Sequence, residues 1–181
     1  MKKIIMIVGA ALISFSAVSQ FSKASLLASG LTCSMCSKAV KVALEDVVYV
    51  KEVKVDIKSQ EYQIVFKGTT DIDFDALKNA VEDAGFSVAS LKVTGNFTYV
   101  NVKKDMHINI GGKNFHFLNG NSQVLNGEKT FTIVDKDFLS AKDFKKQSSA
   151  SKMECVQTGK SGACCTKEGI SADARVYHVT I

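Results

Sequence analysis

With 181 residues, 46% of them hydrophobic, and a formal charge of +5, the chain is long enough for one or two compact units and too apolar to be disordered by default. Without Lys2 and Lys3 the charge falls to +3. Acidic residues are interspersed with the basic ones throughout, so no nucleic-acid surface is indicated. No Ser-His-Asp order, phosphate loop or acidic pair stands out, and the chain reads as a non-enzyme.

Lys2 and Lys3 precede an apolar stretch at residues 4–17, and Ala17-Val18-Ser19 offers small residues for cleavage before Gln20. Residues 1–19 are therefore expected to be a signal peptide, which places the mature protein in the periplasm or otherwise outside the cytoplasm. The stretch is short for a bilayer span and no later segment is long and apolar enough, so no stable membrane span is expected after cleavage. Outside the cytoplasm the five Cys can form disulfides, and their odd number leaves at least one thiol unpaired or bound to metal.

Residues 23–28 read as a short strand leading into Gly30-Leu31-Thr32-Cys33-Ser34-Met35-Cys36. From Cys36, Ala39, Val40, Ala43, Leu44 and Val47 recur at helical spacing. Val53, Val55 and Ile57 alternate with polar residues, as do Tyr62, Ile64 and Phe66 after a turn, which predicts a hairpin with one buried face. Asp73 is placed to cap a second helix striped by Phe74, Leu77, Ala80, Val81 and Ala84, and Gly85 suits its left-handed stop. A last strand is expected over residues 86–93. The order β-α-β-β-α-β predicts an α+β, ferredoxin-like domain over residues 22–94.

From Gly95 the pattern becomes short strands divided by turns, at residues 97–103, 106–110, 114–118, 130–134 and 175–181, with Gly111-Gly112, Asn119-Gly120 and Asn126-Gly127 as punctuation. Residues 95–181 are expected to form a small all-β barrel or sandwich, with an OB-like barrel as one form and a short helix near residues 139–145. Residues 148–174 show no period and read as a loop holding three Cys.

Cys33 and Cys36, three apart where a strand gives way to a helix, can turn both sulfurs toward one point. Exposed backbone N–H groups and the positive end of the helix dipole favour thiolate there, the form that binds metal. Two soft thiolates suit Cu(I), which needs few ligands, and leave room for a partner's sulfurs. A structural disulfide between them would close so small a loop that it would stabilise little. A thiol-disulfide oxidoreductase is the reading from another class. Enzymes of the thioredoxin kind set a cis-proline beside their CxxC, and this chain has no proline.

The Gly30-to-Cys36 segment, the βαββαβ order and Ala84-Gly85-Phe86 before the last strand resemble the heavy-metal-associated domain family of copper chaperones, copper-pump N-terminal domains and periplasmic mercury-binding proteins. The resemblance covers about residues 23–94. It implies that Cys33 and Cys36 are the ligands, that Leu31, where the family usually has Met, supports the loop from the core, and that Phe86 lies near the loop and shields it. Cu(I) is the ion it implies first, with Hg(II) or Zn(II) as alternatives. A chaperone or scavenger exchanging metal with a metal-transporting ATPase or a similar protein is the implied role.

Cys155, Cys164 and Cys165 crowd one segment with Met153. A disulfide from Cys155 to Cys164 or Cys165 fits an exported protein, and a second metal site is the alternative. His107, His116 and His178 each interrupt an alternating strand. They could share a sheet face, but they show no close ligand spacing of the usual metal kind.

Overall fold

The computed structural model describes residues 21–68, 71–119, 122–149 and 151–181; the expected signal peptide lies outside them. The first half runs β1 (Phe21–Ser29), α1 (Ser34–Glu45), β2 (Val50–Asp56), β3 (Glu61–Phe66), α2 (Phe74–Asp83) and β4 (Ser87–Val102). Its strands lie side by side as β2-β3-β1-β4, all antiparallel, the arrangement of a ferredoxin-like sheet. Side-chain alternation explains the burial: Ala24, Leu26 and Ala28 of β1 and Tyr62, Ile64 and Phe66 of β3 face the core. They meet Val40 and Leu44 of α1 and Phe74, Leu77 and Val81 of α2. Asp73 caps α2 by accepting the Asp75 backbone N–H at 3.0 Å, and Gly85 ends the element at φ +89°.

The second half adds β5 (Met106–Ile110), β6 (Lys113–Phe117), β7 (Gln123–Ile133), α3 (Ala141–Ser148), α4 (Cys155–Thr158), α5 (Ala163–Thr166) and β8 (Val176–Thr180). One eight-stranded sheet results, ordered β2-β3-β1-β4-β7-β8-β6-β5, with β6 and β8 parallel. The strands expected at 86–93 and 97–103 are a single sixteen-residue strand, β4. Gly95, read as a boundary, sits inside it and pairs with Phe21 on one side and Lys129 on the other. A glycine without a side chain still has both of its backbone hydrogen-bonding groups, so the ladder passes through it. The segment expected to be a loop at 148–174 contains the single turns α4 and α5 and is closed by a Lys160–Arg175 bridge. Helices of four residues are too short to leave a period in the sequence.

An aromatic cluster ties the two halves together. Phe74 of α2 lies 5.2 Å from Phe21 and 5.3 Å from Tyr177 of β8, both edge-on, and Phe115 of β6 lies 5.3 Å from Phe131 of β7. Such pairs contribute about 0.5–1.5 kcal/mol each beyond their buried area. Beside it sits a polar latch. Arg175 grips Asp75 in bidentate fashion, Nε to Oδ2 at 2.7 Å and NH2 to Oδ1 at 3.0 Å, and lies 4.2 Å over the Tyr177 ring. Tyr177 donates its hydroxyl to Asp73 and Asp75 at 3.1 and 3.0 Å.

Burial alone would push the Asp75 carboxyl up, but the hydrogen bonds and charge of Arg175 outweigh it and hold Asp75 below its ordinary value. A depressed folded-state value means stability that is present at neutral pH and lost as acid protonates the folded carboxylate. Asp75→Asn should therefore cost about 1–2 kcal/mol in urea unfolding at pH 7. Its deficit relative to wild type should shrink below about pH 4. A deficit that stays constant from pH 7 to pH 3 would show that the carboxylate charge does not hold the latch.

Candidate metal sites

The chain leaves β1 at Gly30, whose φ of +88° is a left-handed conformation open to glycine at little cost. A Cβ there would only make ordinary van der Waals contact with the Phe86 ring, 3.8 Å from its Cδ1, so the backbone conformation and not space asks for glycine. Leu31 turns inward and is only 9% exposed, while its carbonyl accepts from Gln60 Nε2 at 3.3 Å. Cys33 then stands at the N-cap of α1 with extended backbone, and its carbonyl receives the Ser37 N–H at 3.2 Å.

This turn leaves Cys33 exposed and Cys36 half-buried, with the two sulfurs 3.1 Å apart. The Thr32 hydroxyl lies 3.8 Å from the Cys36 sulfur. Hydrogen bonding from Cys33, followed by contributions from Thr32, lowers the Cys36 thiol from 9.0 to about 7. Phe86 is half-buried against the core beside the turn. Two supports were not singled out from the sequence: Thr32, and the fully buried Tyr62, whose hydroxyl donates to the Ser37 carbonyl at 3.2 Å in the first turn of α1. In the sequence Tyr62 is only one step of an apolar alternation. Met35, between the cysteines, is 71% exposed.

A second cluster forms at the other end of the sheet. Cys155 from α4 and Cys164 and Cys165 from α5 place their sulfurs within 4.8 Å of one another, and all five cysteines of the chain are free thiols. Cys155 and Cys165 are fully buried, and burial pushes both thiols up. The three histidines, which showed no ligand spacing in the sequence, come together here. The register of β5 on β6 sets His107 opposite His116, and the parallel pairing of β6 with β8 sets His116 beside His178. The His107 and His116 rings stack at 4.2 Å, and those of His116 and His178 meet at 5.1 Å. His107 Nε2 is 3.3 Å from the Cys165 sulfur and 3.8 Å from that of Cys155, and His116 Nδ1 is also 3.8 Å from Cys155. Burial, then the neighbouring His107 and His178, pull His116 down to about 3 and keep it neutral.

Residues 25–87 match the model of the heavy-metal-associated domain. No curated protein matches the chain. Among solved structures, the CopZ metallochaperone is 25% identical over 38% of this chain and 100% of its own, with a TM-score of 0.35. A copper-binding domain from HMA7, a P-type ATPase, is 31% identical over 37% of this chain and 89% of its own, TM-score 0.34. Oxidized MerP from Ralstonia metallidurans CH34 is 31% identical over 38% of this chain and 96% of its own, TM-score 0.33.

The lowered Cys36 thiol has a direct kinetic signature, because alkylation follows the thiolate fraction. In reduced protein, iodoacetamide labelling of Cys36, followed by peptide mass mapping, should reach half its maximal rate near pH 7. In Cys33→Ser the midpoint should move toward that of an ordinary thiol, about 8.5. An unmoved midpoint would mean that Cys33 is not what activates Cys36.

Proposed function

We propose, from the heavy-metal-associated domain that residues 25–87 match, that this chain is an exported, non-catalytic metal-binding protein that carries Cu(I) between Cys33 and Cys36. Domains of this family bind heavy-metal ions and serve metal transport. The observation that carries the finer reading is the sulfur pair itself: two sulfurs 3.1 Å apart at the start of α1, one of them exposed, the other drawn toward thiolate near neutral pH. Two soft donors satisfy Cu(I), whereas Zn(II) ordinarily takes four ligands.

Exchange follows from the same geometry. The Cys36 thiolate bonds to an ion still held by a donor protein, Cys33 gives up its proton to solvent and bonds in turn, and the donor's sulfurs leave. Each sulfur–copper bond formed replaces one broken, and copper stays Cu(I) throughout. The helix N-terminus, with its exposed N–H groups and partial positive charge, offsets the negative charge of the two-thiolate complex. The partner we infer is a metal-exchanging protein such as a metal-transporting ATPase. Export rests on the expected signal peptide at residues 1–19. Among the described residues no helix is long and apolar enough to cross a membrane.

Anaerobic titration of the reduced chain with Cu(I) against a competing chelator tests this reading. Wild type should hold one equivalent tightly that Cys33→Ser/Cys36→Ser loses. Retention of that equivalent by the double variant would remove Cys33 and Cys36 from the role, and preferential capture of Hg(II) under matched thiol competition would reassign the cargo.

A further inference from the structure

The cluster at the far end of the sheet has the composition and spacing of a closed metal site, independent of the cargo site at Cys33 and Cys36. We propose that Cys155, Cys164, Cys165 and His107 Nε2 bind a resident Zn(II) ion in tetrahedral coordination. Zinc–sulfur bonds of about 2.3 Å and zinc–nitrogen bonds of about 2.0–2.1 Å set the edges of such a tetrahedron at about 3.8 Å between sulfurs and about 3.5 Å between sulfur and nitrogen. The protein holds Cys164 and Cys165 sulfurs 3.5 Å apart, and His107 Nε2 is 3.3 and 3.8 Å from the sulfurs of Cys165 and Cys155. These three edges lie within about 0.3 Å of the tetrahedral values, and the three sulfurs all lie within 4.8 Å of one another.

The surroundings are built in the same sense. His107 Nδ1 lies 3.0 Å from Glu168 Oε2, which also accepts the His107 backbone N–H at 3.3 Å. A proton held on Nδ1 by a carboxylate leaves the Nε2 lone pair free for a metal, the arrangement that orients and strengthens metal-binding histidines. His116, stacked on His107, presents Nδ1 to the Cys155 sulfur at 3.8 Å, where an N–H can donate to a thiolate. Leu118, Val134, Val156 and Val176 enclose Cys155 and Cys165 in a small apolar core of their own. Cys164 is half-buried and lines a surface hollow with Met153 and Glu154, which supplies a way in.

Charge selects the ion. Three thiolates around Zn(II) carry a net charge of −1 and around Cu(I) a net charge of −2, and each uncompensated buried charge is costly. Four donors with no open position also match a structural zinc site rather than one built for exchange. The ion would pin α4 and α5, each a single turn, to β5.

The test is metal content and native mass of the purified full chain grown with zinc and dialysed against EDTA. Wild type and Cys33→Ser/Cys36→Ser should each retain one zinc per chain, while His107→Ala and Cys165→Ser retain none. Glu168→Ala should weaken zinc binding by about tenfold to a hundredfold. Because the ligand variants could simply misfold, Co(II) is exchanged into the wild-type protein as a second readout. Intense tetrahedral visible bands with thiolate-to-cobalt charge transfer support the site. Weak octahedral bands, a Cys155–Cys164 or Cys155–Cys165 disulfide in place of metal, copper instead of zinc in the cluster, or zinc that depends on Cys33 and Cys36 would each overturn the assignment. Loss of zinc from His107→Ala and Cys165→Ser leaves the Cu(I) reading of Cys33 and Cys36 untouched, which the chelator titration tests separately.

Discussion

Strand β4 hydrogen-bonds to β1 along one edge and to β7 along the other, and every other relation between the two halves depends on that shared ladder. The register runs unbroken from Leu91 to Phe97 against β7, so the ferredoxin-like sheet continues into β7, β8, β6 and β5 without a joint. With the strand directions set, Phe115 and Tyr177 reach Phe74 at the start of α2, and Phe21 of β1 packs against Phe74, Phe115 and Phe131 together. Asp73 and Asp75 consequently do two tasks: one caps α2, and both hold the β8 side through Tyr177, with Arg175 adding a charged grip on Asp75.

The five cysteines show how one residue type takes opposite chemistry from its surroundings. Cys33 and Cys36 sit at a helix start near solvent, where hydrogen bonds from Cys33 and Thr32 draw the Cys36 thiol toward its charged form. Cys155 and Cys165 sit in an apolar pocket that disfavours charge unless a cation arrives to share it. The first setting suits an ion that comes and goes by ligand exchange. The second suits one that is bound once and stays.

Much of the first site could be read from residues in order. The spacing of Cys33 and Cys36, the helical stripe that buries Val40 and Leu44, and the alternation of Tyr62, Ile64 and Phe66 are local signals, and local signals survive into the fold because the elements are regular. One part of the second site follows from a local register that the expected strand at 114–118 misses by one residue. Counting back from the Gly111-Gly112 turn pairs Ile110 with Lys113 and therefore His107 with His116, the register the strands adopt. What hid the site was the expectation that metal ligands lie close in sequence.

The sequence by itself determined the β-α-β-β-α-β order, the placement of a cysteine pair at a helix N-terminus and a hairpin turn at Gly111-Gly112, because each of these depends on neighbours within a few turns of chain. Only the tertiary structure decided that β4 would run through Gly95, that β8 would lie parallel to β6 and bring His178 beside His116, and that Cys155 and Cys165 would reach His107 across 48 and 58 residues. The physical reason is that single turns such as α4 and α5 carry no periodicity of their own. Their position is set by which apolar surface they bury, and that surface exists only once the distant strands have paired.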